Sequence, residues 1–157
     1  MRGSYGLFEL SSGTLGSLTV RNCTFESNSV GSVSESIPGY GGILYSYPLV
    51  MNVFFEDCSF INTSATMSAG TMSVDISEGN VTIKNCTFWE TQSQLGGLFY
   101  LTSSTRTNMF FLANSTIINA SSTSSGGVLV IEDLARVFII NCLISVSFVT
   151  KDFVFAQ

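Results

Sequence analysis

Apolar and polar residues alternate along this chain in short runs, never at helical spacing. Segments such as Val81-Thr82-Ile83-Lys84 and Met109-Phe110-Phe111-Leu112 are rich in β-branched and aromatic residues at period two, and clusters of Ser, Thr, Asn and Gly separate them. The pattern predicts strands of about four to six residues. No window holds i, i+3, i+4 periodicity over three turns, and only Leu134 to Ile140 comes near it, so helix content close to nil is expected.

The strand segments recur. A glycine pair or its equivalent opens each unit: Tyr5-Gly6 before LFEL, Gly41-Gly42 before ILYS, Ala69-Gly70 before TMSV, Gly96-Gly97 before LFYL and Gly126-Gly127 before VLVI. The second residues of the last four pairs, at 42, 70, 97 and 127, are 28, 27 and 30 residues apart. The first step, from 6 to 42, is 36, which places an insertion of about eight residues in the Ser29 to Pro38 stretch. A second motif keeps the same period: Asn22-Cys23-Thr24-Phe25, Asp57-Cys58-Ser59-Phe60, Asn85-Cys86-Thr87-Phe88, Asn114-Ser115-Thr116-Ile117 and Asn141-Cys142-Leu143-Ile144, at steps of 35, 28, 29 and 27. Two motifs that share one period and lengthen at the same place mark an internal repeat.

A unit of about 28 residues with three short strands cannot hairpin back on itself and keep one register, but it can wind once and stack. Each strand then pairs with its equivalent one turn above, about 4.8 Å away, and repeat positions line up in ladders. The expected fold is all-β: a right-handed parallel β-helix, a solenoid of about five coils forming one domain over residues 1–157. Its coils fall near 5–40, 41–68, 69–95, 96–125 and 126–157.

On these residues, over essentially the whole chain, the sequence resembles the pectin lyase-like right-handed β-helix proteins. Val81-Thr82-Ile83-Lys84-Asn85 looks like that family's second strand ending in an inward asparagine at a tight turn, and Asn22, Asp57, Asn114 and Asn141 match the same position. The resemblance implies an internal ladder of Asn22, Asp57, Asn85, Asn114 and Asn141, bonded to the turn backbone and to stacked neighbours, with Asp57 interrupting the amides. A glycine pair before an aliphatic strand, combined with Phe25-Glu26-Ser27-Asn28, is similar to the repeats of chlamydial polymorphic outer-membrane proteins and their relatives in protists. Phe60-Ile61-Asn62 is one residue short of that motif and Phe88-Trp89-Glu90-Thr91 lacks its asparagine. The likeness points toward surface adhesins, although a fold by itself assigns no function.

Composition narrows the partners. A net charge of −5, a pI near 4.4 and the absence of histidine remove the electrostatic footprint of a nucleic-acid or anionic-membrane binder. Only 11% of residues are charged while mean hydropathy is +0.41, a pairing that raises the question of a membrane span. The longest apolar-rich stretch, Val137 to Val149, is broken by Asn141, Cys142, Ser145 and Ser147 and is shorter than the roughly 18–20 residues a spanning helix needs, so no membrane insertion by this segment is expected. Met1-Arg2-Gly3-Ser4-Tyr5-Gly6 holds no apolar h-region. With the repeat already running at residue 5, a piece of a longer protein is the expectation.

Candidate chemistry starts with Cys23, Cys58, Cys86 and Cys142, which share one repeat position with Ser115. Adjacent coils, about 4.8 Å apart, permit a disulfide, whereas two coils, about 9.6 Å, exceed the limit of about 7 Å. At most one bridge is therefore expected among the first three, with Cys142 free, and the column is read first as small buried thiols filling a narrow turn. With no C-x-x-C spacing and no histidine, neither a metal site nor a cofactor is expected.

Six Asn-x-Ser/Thr sequons, at Asn22, Asn62, Asn80, Asn85, Asn114 and Asn119, suggest a glycosylated extracellular protein of a eukaryote, although a chain this rich in Asn, Ser and Thr also makes sequons by composition. An inward ladder leaves a glycan no room at Asn22, Asn85 and Asn114, so Asn62, Asn80 and Asn119, read as loop residues, are the candidate carriers. Polysaccharide-cleaving β-helix enzymes need convergent titratable groups. Here Glu56-Asp57 and Glu132-Asp133 fall at unlike coil positions and Asp75 with Glu78 stands on a loop, so no catalytic residue is assigned. Phe25, Phe60 and Phe88, continued by Ile117 and Ile144, form a core ladder. Tyr40, Tyr45, Tyr47 and Tyr100 are candidates for a sugar-stacking strip, weighed against simple packing.

The functional expectation is a structural or adhesive module, not an enzyme, at the cell surface or outside the cell. Its expected partners are copies of itself or further coils of the same protein, joined end to end, and glycans. Ile144 to Phe155 is apolar and strand-like, with Lys151 and Asp152 its only charges, and offers no cap for open strand edges. The alternative is a carbohydrate-active enzyme or carbohydrate-binding module on the same scaffold.

Overall fold

The computed structural model describes residues 4–10, 16–31, 38–49, 51–103, 108–133, 136–145, 148–149 and 154–156. Among them every paired strand is parallel and no residue is helical. The chain winds as a β-solenoid. In the third coil it passes through Met72–Ile76, Val81–Lys84, Thr87–Trp89 and Gln92–Leu95, then opens the next coil with Phe99–Thr102, paired to Met72–Ile76.

Repetition of that path builds four long sheets. The first stacks Phe8–Leu10, Leu44–Leu49, Met72–Ile76, Phe99–Thr102, Leu129–Glu132 and Val154–Ala156. The second stacks Ser17–Arg21, Asn52–Glu56, Val81–Lys84, Met109–Ala113 and Arg136–Ile140, and the third Thr24–Glu26, Ser59–Ile61, Thr87–Trp89, Thr116–Ile118 and Leu143–Ser145. The fourth stacks Ser29–Val30, Ser64–Ala65, Gln92–Leu95, Ser121–Ser125 and Phe148–Val149. Four strands per coil replace the three expected, because the fourth sheet is built largely of Ser, Thr and Gln, which in sequence resemble a loop. Its backbone is held in register by the coils above and below, so the ladder forms whatever the side chain. Of the expected insertion, Ser29–Val30 is a strand and residues 32–37 lie outside the described residues; Gly39–Tyr40, just after it, is a strand as well.

Single residues in the left-handed region make the corners. Asn22, Asp57, Asn85, Asn114 and Asn141, with φ between 49° and 54°, separate the second sheet from the third. Ser27, Asn62, Glu90 and Asn119, with φ between 52° and 58°, separate the third from the fourth. Asn tolerates this conformation better than most residues, which accounts for its recurrence here. A corner also breaks the in-out alternation of the strand. Ile83 is buried, Lys84 and Asn85 both face solvent, and Cys86 is buried again. The Asn and Asp column is therefore outward and exposed, correcting the inward ladder: a chain bending around a core must place two successive side chains outside at each corner.

The first sheet begins at a glycine pair whose members serve different needs. Gly96 has φ +60°, the conformation Ala69 adopts at the equivalent place. A Cβ on Gly97 would stand 2.1 Å from the Gly127 carbonyl oxygen and 2.5 Å from that of Ser121, so only glycine lets these backbones stack. Inside the cylinder Phe25, Phe60 and Phe88 are stacked, with centroid separations of 5.1 and 4.7 Å. Phe99 meets Phe88 edge-on at 5.4 Å and Phe110 at 5.1 Å. Complete burial of each such ring stabilises the fold by about 1.5–3 kcal/mol.

Candidate binding surfaces

Outward residues of the first sheet stand in columns: Glu9, Tyr45, Ser73, Tyr100 and Val130 in one, Asp75, Thr102 and Glu132 in the next. Between Val74 and Ile76 the register shifts, setting Tyr47 and Pro48 against the single residue Asp75. Such a bulge re-aims side chains, and Tyr47 is left 69% exposed. An open cleft of about 360 Å³ results, lined by Tyr45, Tyr47, Ser73, Asp75, Tyr100 and Glu132 among others. Asp75, expected on a loop, belongs to Met72–Ile76 and shares a column with Glu132 two coils above. Their equivalent backbone positions are about 9.6 Å apart.

The expected tyrosine strip gains Tyr5. Tyr45 stacks on it with centroids 4.4 Å apart, and Tyr40 lies 5.8 Å from Tyr45. Burial, followed by the neighbouring phenols Tyr5 and Tyr40, raises the Tyr45 hydroxyl above the ordinary phenol range. Tyr100 Oη donates to Glu132 Oε2 at 2.9 Å, and burial first, this bond second, push the phenol up to about 12. Tyr100 therefore remains a neutral donor at neutral pH. Aromatic faces beside fixed hydroxyls and carboxylates can stack a sugar ring and bond its hydroxyls.

The cysteine position faces inward just after the first corner, and all four thiols are free. Each donates to the carbonyl two residues earlier: Cys23 to Arg21, Cys58 to Glu56, Cys86 to Lys84 and Cys142 to Ile140, at 3.1–3.3 Å. Ser115 makes the same bond to Ala113 at 2.8 Å, which explains its substitution in this column. Burial pushes Cys86 up to about 12 and Cys58 in the same direction, so neither is an activated nucleophile. Among the described residues no three His, Cys, Asp or Glu side chains group as a metal site.

Asn85 Nδ2 donates to Asp57 Oδ1 at 3.1 Å and Asn141 Nδ2 to Asn114 Oδ1 at 3.4 Å, so the outer column is itself partly bonded and Asp57 joins it as an acceptor. Asn22, Asn85 and Asn114 face solvent, which removes the reason for excluding them as glycan carriers. Asn80 is instead a structural clamp. Its Nδ2 donates to Asn52 Oδ1 at 3.1 Å, and its Oδ1 accepts from the Met109 backbone N–H at 2.9 Å, tying three coils together. Asn62 and Asn119 occupy the second outer corner. No family model, curated protein or solved structure matches the chain.

Proposed function

We propose that the chain is a structural or adhesive module of an extracellular or cell-surface rod, stacked end to end with a second copy or with further coils of the same kind. The supporting observation is the state of the last coil of the second sheet. Val137 and Ile139 stand in register above the fully buried Phe110 and Leu112, yet Ile139 is 41% exposed, and among the described residues nothing pairs with the outer edge of Arg136–Ile140. At the opposite edge Leu18 and Val20 occupy the same two inward columns. Edge-to-edge contact would continue both apolar columns and both hydrogen-bond ladders, as a heterologous interface. Light scattering of the 16.9 kDa chain at micromolar concentration tests this. Multiples of that mass are expected, reduced to the monomer by Ile139→Lys, and a stable wild-type monomer refutes copy-to-copy stacking.

A second reading rests on the tyrosine-lined cleft: carbohydrate binding, or carbohydrate-active chemistry of the pectin lyase-like type, on the outer face of the first sheet. Exposed Tyr47, the fixed Tyr100–Glu132 pair and Asp75 in one cleft favour it. In calorimetry against a panel of soluble polysaccharides, a ligand should lose at least tenfold in affinity with Tyr47→Ala. An unchanged affinity, or no binding across the panel, refutes the reading. Hydrolysis that disappears with Glu132→Gln while binding persists assigns an enzyme to the cleft.

A further inference from the structure

We infer that Asn62 and Asn119 carry N-linked glycans whose first sugars lie in the cleft between them, and that Asn80 carries none. The two asparagines occupy equivalent corner positions two coils apart, with Glu90 at that position in the coil between. Both have sequons, Asn62-Thr63-Ser64 and Asn119-Ala120-Ser121, and both side-chain amides are without a hydrogen bond among the described residues. They line one cleft of about 280 Å³ with Glu90, Thr91, Gln92 and Ser121. Gln92 and Ser121 also line the adjoining cleft of about 450 Å³ over the fourth sheet, where Ser64, Gln94 and Thr123 add hydroxyls and an amide. Such neutral donors and acceptors match sugar hydroxyls and an N-acetyl group.

In the modification the asparagine amide nitrogen bonds to the anomeric carbon of a lipid-linked oligosaccharyl diphosphate. The bond from that carbon to the diphosphate oxygen breaks, the amide loses one proton, and the lipid diphosphate leaves. At Asn62 and Asn119 this consumes an N–H that the fold does not use. At Asn80 it would place a glycan on the nitrogen that donates to Asn52, in a half-buried site between coils, and chains so modified would not close the third coil. Asn85 likewise uses its amide, toward Asp57, and the Asn114 amide oxygen accepts from Asn141.

The inference rests on the extracellular part of the proposed function. The test imposes that route, so its failure is separable from failure of the stacking reading. The chain is secreted from a eukaryotic host behind an added leader, and site occupancy is measured by mass spectrometry after enzymatic deglycosylation in heavy-oxygen water. Asn62 and Asn119 should be occupied in most molecules and Asn80 in almost none, with Asn62→Gln and Asn119→Gln each removing one glycan. Asn80→Gln made without glycosylation in a bacterial host should lower the thermal midpoint by clearly more than Asn62→Gln made there, which gives up no side-chain hydrogen bond among the described residues and only the left-handed preference of Asn. Secreted, folded protein bare at Asn62 and Asn119, or occupied at Asn80, overturns the inference.

Discussion

Phe88 and Trp89 are chain neighbours on Thr87–Trp89 that face opposite ways, so paired substitutions test the register of the coil directly. Phe88 has no exposed surface and lies between Phe60, at 4.7 Å, and Phe99, at 5.4 Å, whereas Trp89 is 44% exposed on the outer face. Phe88→Ala should cost about 3–5 kcal/mol through lost transfer energy and the cavity left behind. The upper part of that range is expected, because the backbone ladders to Phe60 and Ile117 hold the coil spacing and keep the cavity from collapsing. A loss of about 4 kcal/mol corresponds to a fall of roughly 8–16 °C in Tm for a chain of this length. Trp89→Ala, which removes no core contact, should stay within about 1 kcal/mol. Urea unfolding followed by far-ultraviolet circular dichroism compares the two. If Trp89→Ala costs as much as Phe88→Ala, the strand is displaced by one residue, which exchanges its faces, and the coil assignment fails.

Gly97→Ala should prevent folding, seen as insoluble expression or loss of the strand signal, because the Gly127 and Ser121 carbonyl oxygens stand where its Cβ would go. A wild-type melting curve for Gly97→Ala contradicts the stacking of the second glycines. Cys86 has a folded-state pKa of about 12 against an ordinary 9.0, so above pH 9 the unfolded chain loses a proton the folded chain keeps, and stability falls as pH rises from 9 toward 12. Cys86→Ser, copying Ser115, should reduce the slope of the urea midpoint between pH 9 and 10 relative to the wild type, and an unchanged slope rejects that origin.

Period carried most of the fold in this sequence. The glycine pairs and the Asn-Cys motif each mark a corner, and their common step places every equivalent strand one coil apart without any knowledge of the contacts. Side-chain direction at the corners was less legible. Asn85 follows Lys84 in an apparent strand, and alternation alone turns it inward; the left-handed φ that turns it outward is a consequence of bending the coil around Phe88. The cleft was hidden for a different reason. Asp75 and Glu132 are separated by two repeats, so a search for acids close in sequence passes over a pair that the solenoid aligns. The fourth sheet, Ser64–Ala65 and Gln92–Leu95 among its strands, has almost no β signal because neighbouring coils, not its side chains, hold it in place.

The same separation of backbone from side chain makes the two functional readings independent. Inward columns and ladders fix the coil, and outward side chains can change with little cost to it. Stacking of copies uses the strand edges and the open inward columns at Val137 and Ile139. Carbohydrate binding uses the flank at Tyr47, Tyr100 and Glu132, whose columns run parallel to the axis and remain uncovered when coils are added at an edge. Tyr47→Ala should therefore leave the mass distribution in light scattering unchanged, and Ile139→Lys should leave the affinity of each chain for a saccharide unchanged. If Tyr47→Ala dissociates the assembly, the first sheet lies inside an interface between copies. The cleft would then be a contact surface with no glycan in it, and the adhesive reading would lose its flank.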